Sequence, residues 1–386
     1  MSGISQSGIW HLSKIVLKNH SIVERTVVFI AFRHNLPKNQ FTMLRQFTLL
    51  SLLLVAFNNL NAADSTKMRS IFDELYQPDS MVEVTLQLDC KKLIRRKDKE
   101  EKFPGVMTYR SLDGRAVTQA IKVRCRGKMR LSVCSFPPLR LDFNKDSLQQ
   151  LGLLPTADHM KLVTHCASSK LNNNQVLKEL LVYKLYNVIT EKSFRVQLLR
   201  VKYVDLEGAV YAEETGFLLE PIEALAHRIQ CRESTRVIQS LEEFDAVSYN
   251  QMVLFEYMIG NVDWSIPARH NVELLKSLQN GFRVVVPYDF DYSGVVRATY
   301  AVHDDRVGQK YLGERVVVSG FTNEAAFQNT VQHFLVREEA IFDTCNHFIH
   351  LNEKERMEVI KYLQSFYKFI KEPKLNAGKL KTADNR

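Results

Sequence analysis

The apolar pattern of the chain shifts near residue 221 from mainly alternating to mainly helical, and that shift constrains its fold more than any other feature. Residues 82–88, VEVTLQL, alternate strictly, with Val82, Val84, Leu86 and Leu88 on one face, which predicts a strand. IKVRCR (121–126) alternates again, LRLDF (139–143) and MKLVTH (160–165) are further strand candidates, and VQLLRVKYVD and VYAEETGFLLE read as a hairpin broken at Glu207-Gly208. One helix interrupts this front half: from Gln175 to Ile189 the residues Leu177, Leu180, Leu181, Leu185 and Val188 recur at helical spacing. After about residue 221 the helical period takes over. Residues 242–259 end at Gly260, a C-cap residue; residues 324–350 and 353–371 are two more helices, the second striped by Met357, Ile360, Leu363, Phe366 and Ile370. Between them FRVVVPYDFDYSG is a buried β run that breaks at Pro287. KKLIRRKDKEEKFPG is a charge run closing on Pro-Gly and is expected to be an exposed loop, while the lysine-rich tail, 373–386, is read as disordered. No internal repeat is visible.

The first 63 residues are set apart. Met43-Leu-Arg-Gln, the eleven-residue apolar run Phe47–Phe57 and the small pair Ala62-Ala63 have the grammar of a secretory signal peptide over 43–63. The run falls short of the roughly 20 apolar residues that span a bilayer. No transmembrane segment is expected in the mature chain. No Cys follows it, so a lipoprotein anchor is not supported. Residues 1–42 then read as upstream sequence. The chain is expected to be exported, to a periplasmic, cell-envelope or extracellular place. All six cysteines (Cys90, Cys125, Cys134, Cys166, Cys231 and Cys345) lie beyond the cleavage site, as export allows. Cys125 and Cys134 flank an expected hairpin and are the first choice for a disulfide. The net charge of +9 points away from nucleic acid once it is apportioned: +5 belongs to residues 1–63, leaving only +4 for the rest.

Two polar clusters sit at the edges of strongly apolar elements. GNVDWSIPARHN, Gly260 to Asn271, follows a helix directly, and PYDFD, Pro287 to Asp291, follows FRVVV. A helix end and a strand end joined by a hairpin-sized segment can bring Asp263, Asn271 and Asp289 together. Phosphoryl transfer needs such a set: one carboxylate takes the acceptor's proton, while an amide oxygen and a second carboxylate hold Mg²⁺ on the phosphates. Acid pairs such as Asp289/Asp291 also occur in plain turns. His159, His165 and Cys166 lack metal-site spacing and read as strand residues, and Trp264 as packing.

The two acidic segments resemble the catalytic and metal-binding stretches of the spore-coat CotH family and HipA-like kinases, and VRCRGKMRLSVCSFPPLRLDF (123–143) resembles the family's nucleotide-side stretch. The resemblance covers about residues 120–300. It implies an α+β, two-lobed protein-kinase-like fold, with a β-rich N-lobe over 64–220 and a mainly helical C-lobe over 221–372. It also implies Mg²⁺ and ATP as cofactors, and a protein substrate or envelope partner. Asp263 matches the catalytic base, Asn271 and Asp289 match metal ligands, and Asp291 is a second metal-site acid. For the cation on the nucleotide, Arg140 and Lys161 are both candidates. Lys161 paired with Glu179 would reproduce a strand-lysine to helix-glutamate pair, and a surface ion pair is the plain alternative for either. The chain departs from the pattern in two ways. Protein kinases separate the base from the metal asparagine by five; here SIPAR makes it eight and leaves both Asn271 and His270 open for that place. There is no Gly-rich phosphate loop, only Arg126-Gly127-Lys128.

The first functional expectation is therefore an exported protein kinase transferring a phosphoryl group to a Ser/Thr hydroxyl. A catalytically inactive binding or cell-envelope assembly module is the alternative. A metal-dependent hydrolase using Asp289 and Asp291 is a weaker third.

Overall fold

Strands that alternate have one apolar face to bury, and here that face curls in on itself. The structure, a computed structural model, describes residues 68–383 apart from Ser168 and residues 237–239. The expected signal peptide, its cleavage site and the upstream segment lie outside the described residues.

After a one-turn helix α1 (Ile71–Leu75), seven strands close into a barrel in the order β1-β2-β3-β4-β5-β7-β6. They are β1 (Val82–Leu88), β2 (Phe103–Arg110), β3 (Ala116–Cys125), β4 (Leu139–Phe143), β5 (His159–Val163), β6 (Val196–Val204) and β7 (Val210–Leu219). Val84, Leu86, Met107, Val123, Leu139, Leu141, Met160, Leu162, Val201 and Leu218 fill the interior, with Ile71, Phe72 and Leu75 of α1 in the same core. The lumen is thus packed with side chains, as in other small barrels.

This closure overturns the expected two-lobed protein-kinase-like fold, whose N-lobe sheet is open. β1 pairs antiparallel with β2 on one side and parallel with β6 on the other, from Val82↔Leu199 to Gln87↔Val204, so neither is an edge. Alternation tells a strand which face to bury but not which strand will take each edge. The charge run is also corrected. It holds α2 (Cys90–Arg95) and a turn at Lys97–Lys99, and Pro104 and Gly105 lie inside β2. A Cβ on Gly105 would meet the Gln87 carbonyl at 3.1 Å, a crowding that suits glycine in a strand.

Short helices α3 (Met129–Val133) and α4 (Lys145–Gln150) connect β3 to β4 and β4 to β5. The long α5 (Lys170–Ile189) begins earlier than its apolar stripe, because Ser169 caps it by accepting from the Asn172 amide at 3.2 Å. Its Leu180, Leu181, Leu185 and Tyr186 belong to a second core, shared with the back half of the chain. A boundary drawn at 220/221 therefore crosses a continuous core.

That core is centred on α7 (Ala246–Ile259), buried all round from Ser248 to Ile259. Before it come α6 (Ile222–Arg228) and β8 (Cys231–Glu233); after it come β9 (Val272–Ser277) and β10 (Arg283–Pro287), which with β8 make a sheet in the order β10-β9-β8. The region expected as one helix over 324–350 is two, α8 (Glu324–Val336) and α9 (Glu338–Asn346), followed by α10 (Glu353–Ile370). The described part of the tail, residues 373–383, packs back where disorder was expected: Leu375 and Leu380 are buried and Thr382 bridges Val317.

One disulfide joins Cys134 to Cys166, with Cα atoms 4.6 Å apart, which corrects the expected Cys125–Cys134 pair. Cys125 is the last residue of β3 and faces the barrel core, whereas the Phe136 amide binds the Cys166 carbonyl at 2.9 Å and draws those two segments together.

Candidate active site

The site begins where α7 stops. Gly260 takes φ +64, and a Cβ there would overlap the Tyr362 hydroxyl. The Asn261 amide then binds the Glu256 carbonyl at 2.9 Å and turns the chain out of the helix. Asn261 Nδ2 donates to Glu256 Oε2 at 2.9 Å, and its Oδ1 accepts from the Asp263 amide at 3.2 Å. Glu256 is buried, and burial pushes its pKa up to about 8, with the Asn261 bond opposing and Asp263 adding.

Asp263, Asn271 and His270 form one cluster. Asn271 Nδ2 donates to the Asp263 carbonyl at 2.7 Å and to Asp263 Oδ2 at 3.0 Å, and His270 Nε2 lies 2.9 Å from Oδ1. The SIPAR insertion is absorbed locally. Ser265 and His270 exchange both backbone hydrogen bonds at 2.9 Å, so the intervening residues loop out and Asn271 returns to Asp263. Both residues left open by the spacing therefore touch the aspartate.

The β9–β10 hairpin adds the second acidic segment. Val272 pairs with Pro287, and one step further the Tyr288 amide binds the Asn271 carbonyl at 3.0 Å. Asn271 (φ +54) and Asp289 (φ +65) both adopt left-handed backbone, a region that Asn and Asp tolerate better than most residues. The Asp289 amide donates to Tyr183 Oη at 2.8 Å. Its half-buried carboxylate makes no hydrogen bond or ion pair among the described residues, yet its charge acts on Arg130, Lys161, Glu179 and Asp291. Tyr292 feels the charges of Asp291, Asp263 and Asp289 together.

Asp291 is placed differently. Its Oδ2 accepts from Arg130 Nε at 3.1 Å and from the Tyr300 hydroxyl at 2.6 Å, and Arg130 Nη2 donates to Glu179 Oε2 at 2.6 Å. All three charged groups are buried. Burial disfavours the Arg130 charge, but Glu179 and Asp291 outweigh it and hold the guanidinium charged. Two carboxylates thus share one cation. Burial, with repulsion from Asp289, raises the pKa of both Glu179 and Asp291. The expected Lys161–Glu179 pair does not form, because Arg130 takes Glu179. Nothing in the sequence singled out Arg130 among its basic neighbours.

Lys161 belongs to a row of cations. In register, Arg124 of β3 faces Arg140 of β4, and Arg140 faces Lys161 of β5. Their sequence neighbours Val123, Leu139, Leu141, Met160 and Leu162 point inward, so the three cations line the outer face of the barrel. Like charges directly opposite across strands repel. Arg140 is partly neutralised by Asp142 at 2.6 Å, and Lys161 lies 4.0 Å from Glu273 and 4.3 Å from the Tyr288 ring centroid. Arg124 Nε is buried with no hydrogen-bond partner among the described residues. Burial, then Arg126, lowers the Lys161 pKa to about 8, against the pull of Glu273 and Asp289. Register reveals Arg124; in sequence it is one basic residue in an alternating strand.

The remaining candidates are structural. His165 packs against Phe136, Cys166 is in the disulfide and Trp264 is buried. Among the described residues no group of three or more His, Cys, Asp or Glu is arranged to hold a metal ion, and no helix is long and apolar enough to cross a membrane. Compared with known proteins, the chain matches no family model and no curated protein.

Proposed function

We propose that the chain is an exported, Mg²⁺-dependent phosphotransferase, related to the CotH-type kinases through its two acidic segments and built on a barrel scaffold. It moves the γ-phosphoryl group of ATP to a serine or threonine hydroxyl of a protein. One observation carries this reading: a cross-strand row of three cations whose last member, Lys161, feels the charge of the uncommitted Asp289 carboxylate.

In this reading Arg124, Arg140 and Lys161 bind phosphate oxygens, and the anion relieves their mutual repulsion. Lys161 has the Tyr288 ring beneath it, lies 4.0 Å from Glu273 and feels the charge of Asp289. The donor set fits Mg²⁺ with few protein ligands, as that ion prefers when phosphates and water complete its shell. Asn271 spends its amide nitrogen on Asp263, which leaves Oδ1 as its free acceptor among the described residues, and Asp289 supplies the carboxylate. Asp291 keeps one oxygen clear of Arg130 and Tyr300 and anchors the loop from below. Bound there, the ion would neutralise phosphate charge. The hydroxyl oxygen of the acceptor bonds to the γ-phosphorus, the bond from that phosphorus to the bridging oxygen breaks, and ADP leaves. The hydroxyl proton goes to Asp263, which Asn271 and His270 orient. The chain works outside the cytoplasm, where its disulfide is stable.

A second reading has an observation of its own. Both Asp263 oxygens already accept or face a partner, and Asp291 is tied to Arg130, which suits a polyanion-binding assembly module without chemistry.

Thermal-shift titration with Mg-ATP, run beside transfer of radiolabel to protein, separates the readings. The phosphotransferase requires saturable stabilisation, about 2.7 kcal/mol at a hundredfold excess over Kd, together with labelled serine or threonine. Asp289→Ala must lose the Mg²⁺-dependent part. Binding without labelling selects the assembly module. No binding by well-folded wild-type protein overturns both.

A further inference from the structure

A cationic cavity apart from the cation row lies between the end of α7, the 297–315 segment and α10. It measures about 450 Å³ and is lined chiefly by Arg297, Arg315, Tyr257, Tyr311, Tyr362 and Phe366. A volume of this size accommodates a small ligand.

The two arginines are held by neutral groups alone. Arg315 donates through Nε to the Met258 carbonyl at 3.0 Å, through Nη1 to Ser365 Oγ at 2.9 Å and through Nη2 to the Tyr362 carbonyl at 2.7 Å. Arg297 donates through Nε to the Gly294 carbonyl at 2.9 Å. Of the five donor hydrogens each guanidinium carries, most on Arg297 and some on Arg315 stay unused. Both cations lie over one ring: the Tyr362 centroid is 4.1 Å from the Arg315 guanidinium carbon and 5.9 Å from that of Arg297. Neither forms an ion pair with a carboxylate among the described residues. Glu314, adjacent in sequence, is turned to Lys381 Nζ at 2.7 Å and to the Lys310 amide at 2.6 Å. Burial lowers the Arg315 pKa, and only tyrosines oppose it.

Two guanidiniums over one ring, with donors to spare and no carboxylate partner among the described residues, suit an anionic ligand. Guanidinium forks match phosphate oxygens in geometry, and tyrosine walls stack on a planar group. We propose that this cavity binds a small phosphate monoester that carries an aromatic ring, the phosphate between Arg297 and Arg315 and the ring against Tyr311 and Tyr362. Arg297 is exposed at the mouth and Tyr311 is 61% exposed, so the ligand enters from solvent. The site is separate from the cation row and needs no metal.

Isothermal titration of the full chain in EDTA, with inorganic phosphate and with phenyl phosphate, tests this. EDTA removes Mg²⁺-dependent binding at the other site. Both probes are expected to saturate, phenyl phosphate at least tenfold more tightly. Arg297→Ala should weaken both by tenfold or more with little change in melting temperature, because that exposed side chain holds one carbonyl and lies 5.9 Å from the Tyr362 ring centroid. Arg315→Lys keeps the charge and should weaken both probes less. Lys161→Met removes any phosphate held at the cation row and should leave the Arg297-dependent component of both titrations in place. Absence of saturable binding, equal affinity for the two probes, or binding that survives Arg297→Ala and disappears in Lys161→Met would each overturn the proposal.

Discussion

Asn271 reaches back across an eight-residue separation to hold Asp263 twice, at the carbonyl (2.7 Å) and at the carboxylate (3.0 Å). The bond makes the two residues one unit. It ties the loop after α7 to the start of β9, so the position of the aspartate depends on a residue of another element.

Asp263 and His270 should be separable by kinetics. Asp263→Asn is expected to keep Mg-ATP binding while transfer falls on the order of a hundredfold or more. His270→Gln keeps a donor toward Oδ1 and should cost well under that, with the KM for ATP unchanged. Steady-state kinetics of protein labelling checks both. A loss from His270→Gln equal to that from Asp263→Asn would move the proton acceptor to the imidazole.

Lys161 is held at a cost to the fold. Its pKa falls to about 8 in the folded protein, so between that value and the ordinary lysine range the unfolded chain binds the extra proton. Stability therefore rises with pH through that window, and the penalty is fully present below it. Lys161→Met should raise the melting temperature at pH 7, by about 1–3 °C, and this advantage should shrink as pH rises from 8 to about 10. The same variant should bind phosphate-bearing nucleotide more weakly. Melting curves across pH test the first statement and nucleotide titration the second.

Glu256 behaves in the opposite sense. Its pKa is raised to about 8, so at neutral pH the folded protein holds a proton that the unfolded chain has released. Its contribution is fully present below the ordinary glutamate range and is lost as pH rises through 8. Glu256→Gln preserves an acceptor for Asn261 and stays neutral. The variant should match wild type near pH 5 and exceed it at pH 9, as measured by urea denaturation at both values.

The Cys134–Cys166 bridge closes a loop of 32 residues that carries Arg130's neighbour segment, β4 and β5. Its removal should cost about 2–4 kcal/mol. Intact mass with alkylation should find one disulfide and four thiols that react only on unfolding, since Cys90, Cys125, Cys231 and Cys345 are buried. Reduction should loosen the α3 segment and weaken the hold of Arg130 on Glu179 and Asp291, seen as faster hydrogen exchange over residues 127–136.

Much of the chain's local structure was legible in its sequence, for a plain reason. Alternation marks β1 and the end of β3, and helical spacing marks α5 and α10, because each pattern reports which face an element must bury. Gly260 announced the end of α7, since a left-handed residue there has room for no side chain. The two polar clusters stood out as polar residues bordering apolar elements, and the hairpin between them gave a local route that joins them.

Long-range partner choice decided the rest. No local pattern says that β6 will return beside β1 in parallel and close the sheet, so an open lobe was expected where a barrel forms. The same holds for Cys166 displacing Cys125 as the partner of Cys134, and for Arg130 displacing Lys161 as the partner of Glu179. Arg124, Arg140 and Lys161 became a row only when two registers, β3 with β4 and β4 with β5, were set. By itself the sequence determined which residues are apolar, which faces they share and where the chain turns, because those depend on neighbours a few positions away. Tertiary structure alone decided which charges meet. Ion pairing acts through space, and the buried Arg130 and its two carboxylates lie far apart along the chain.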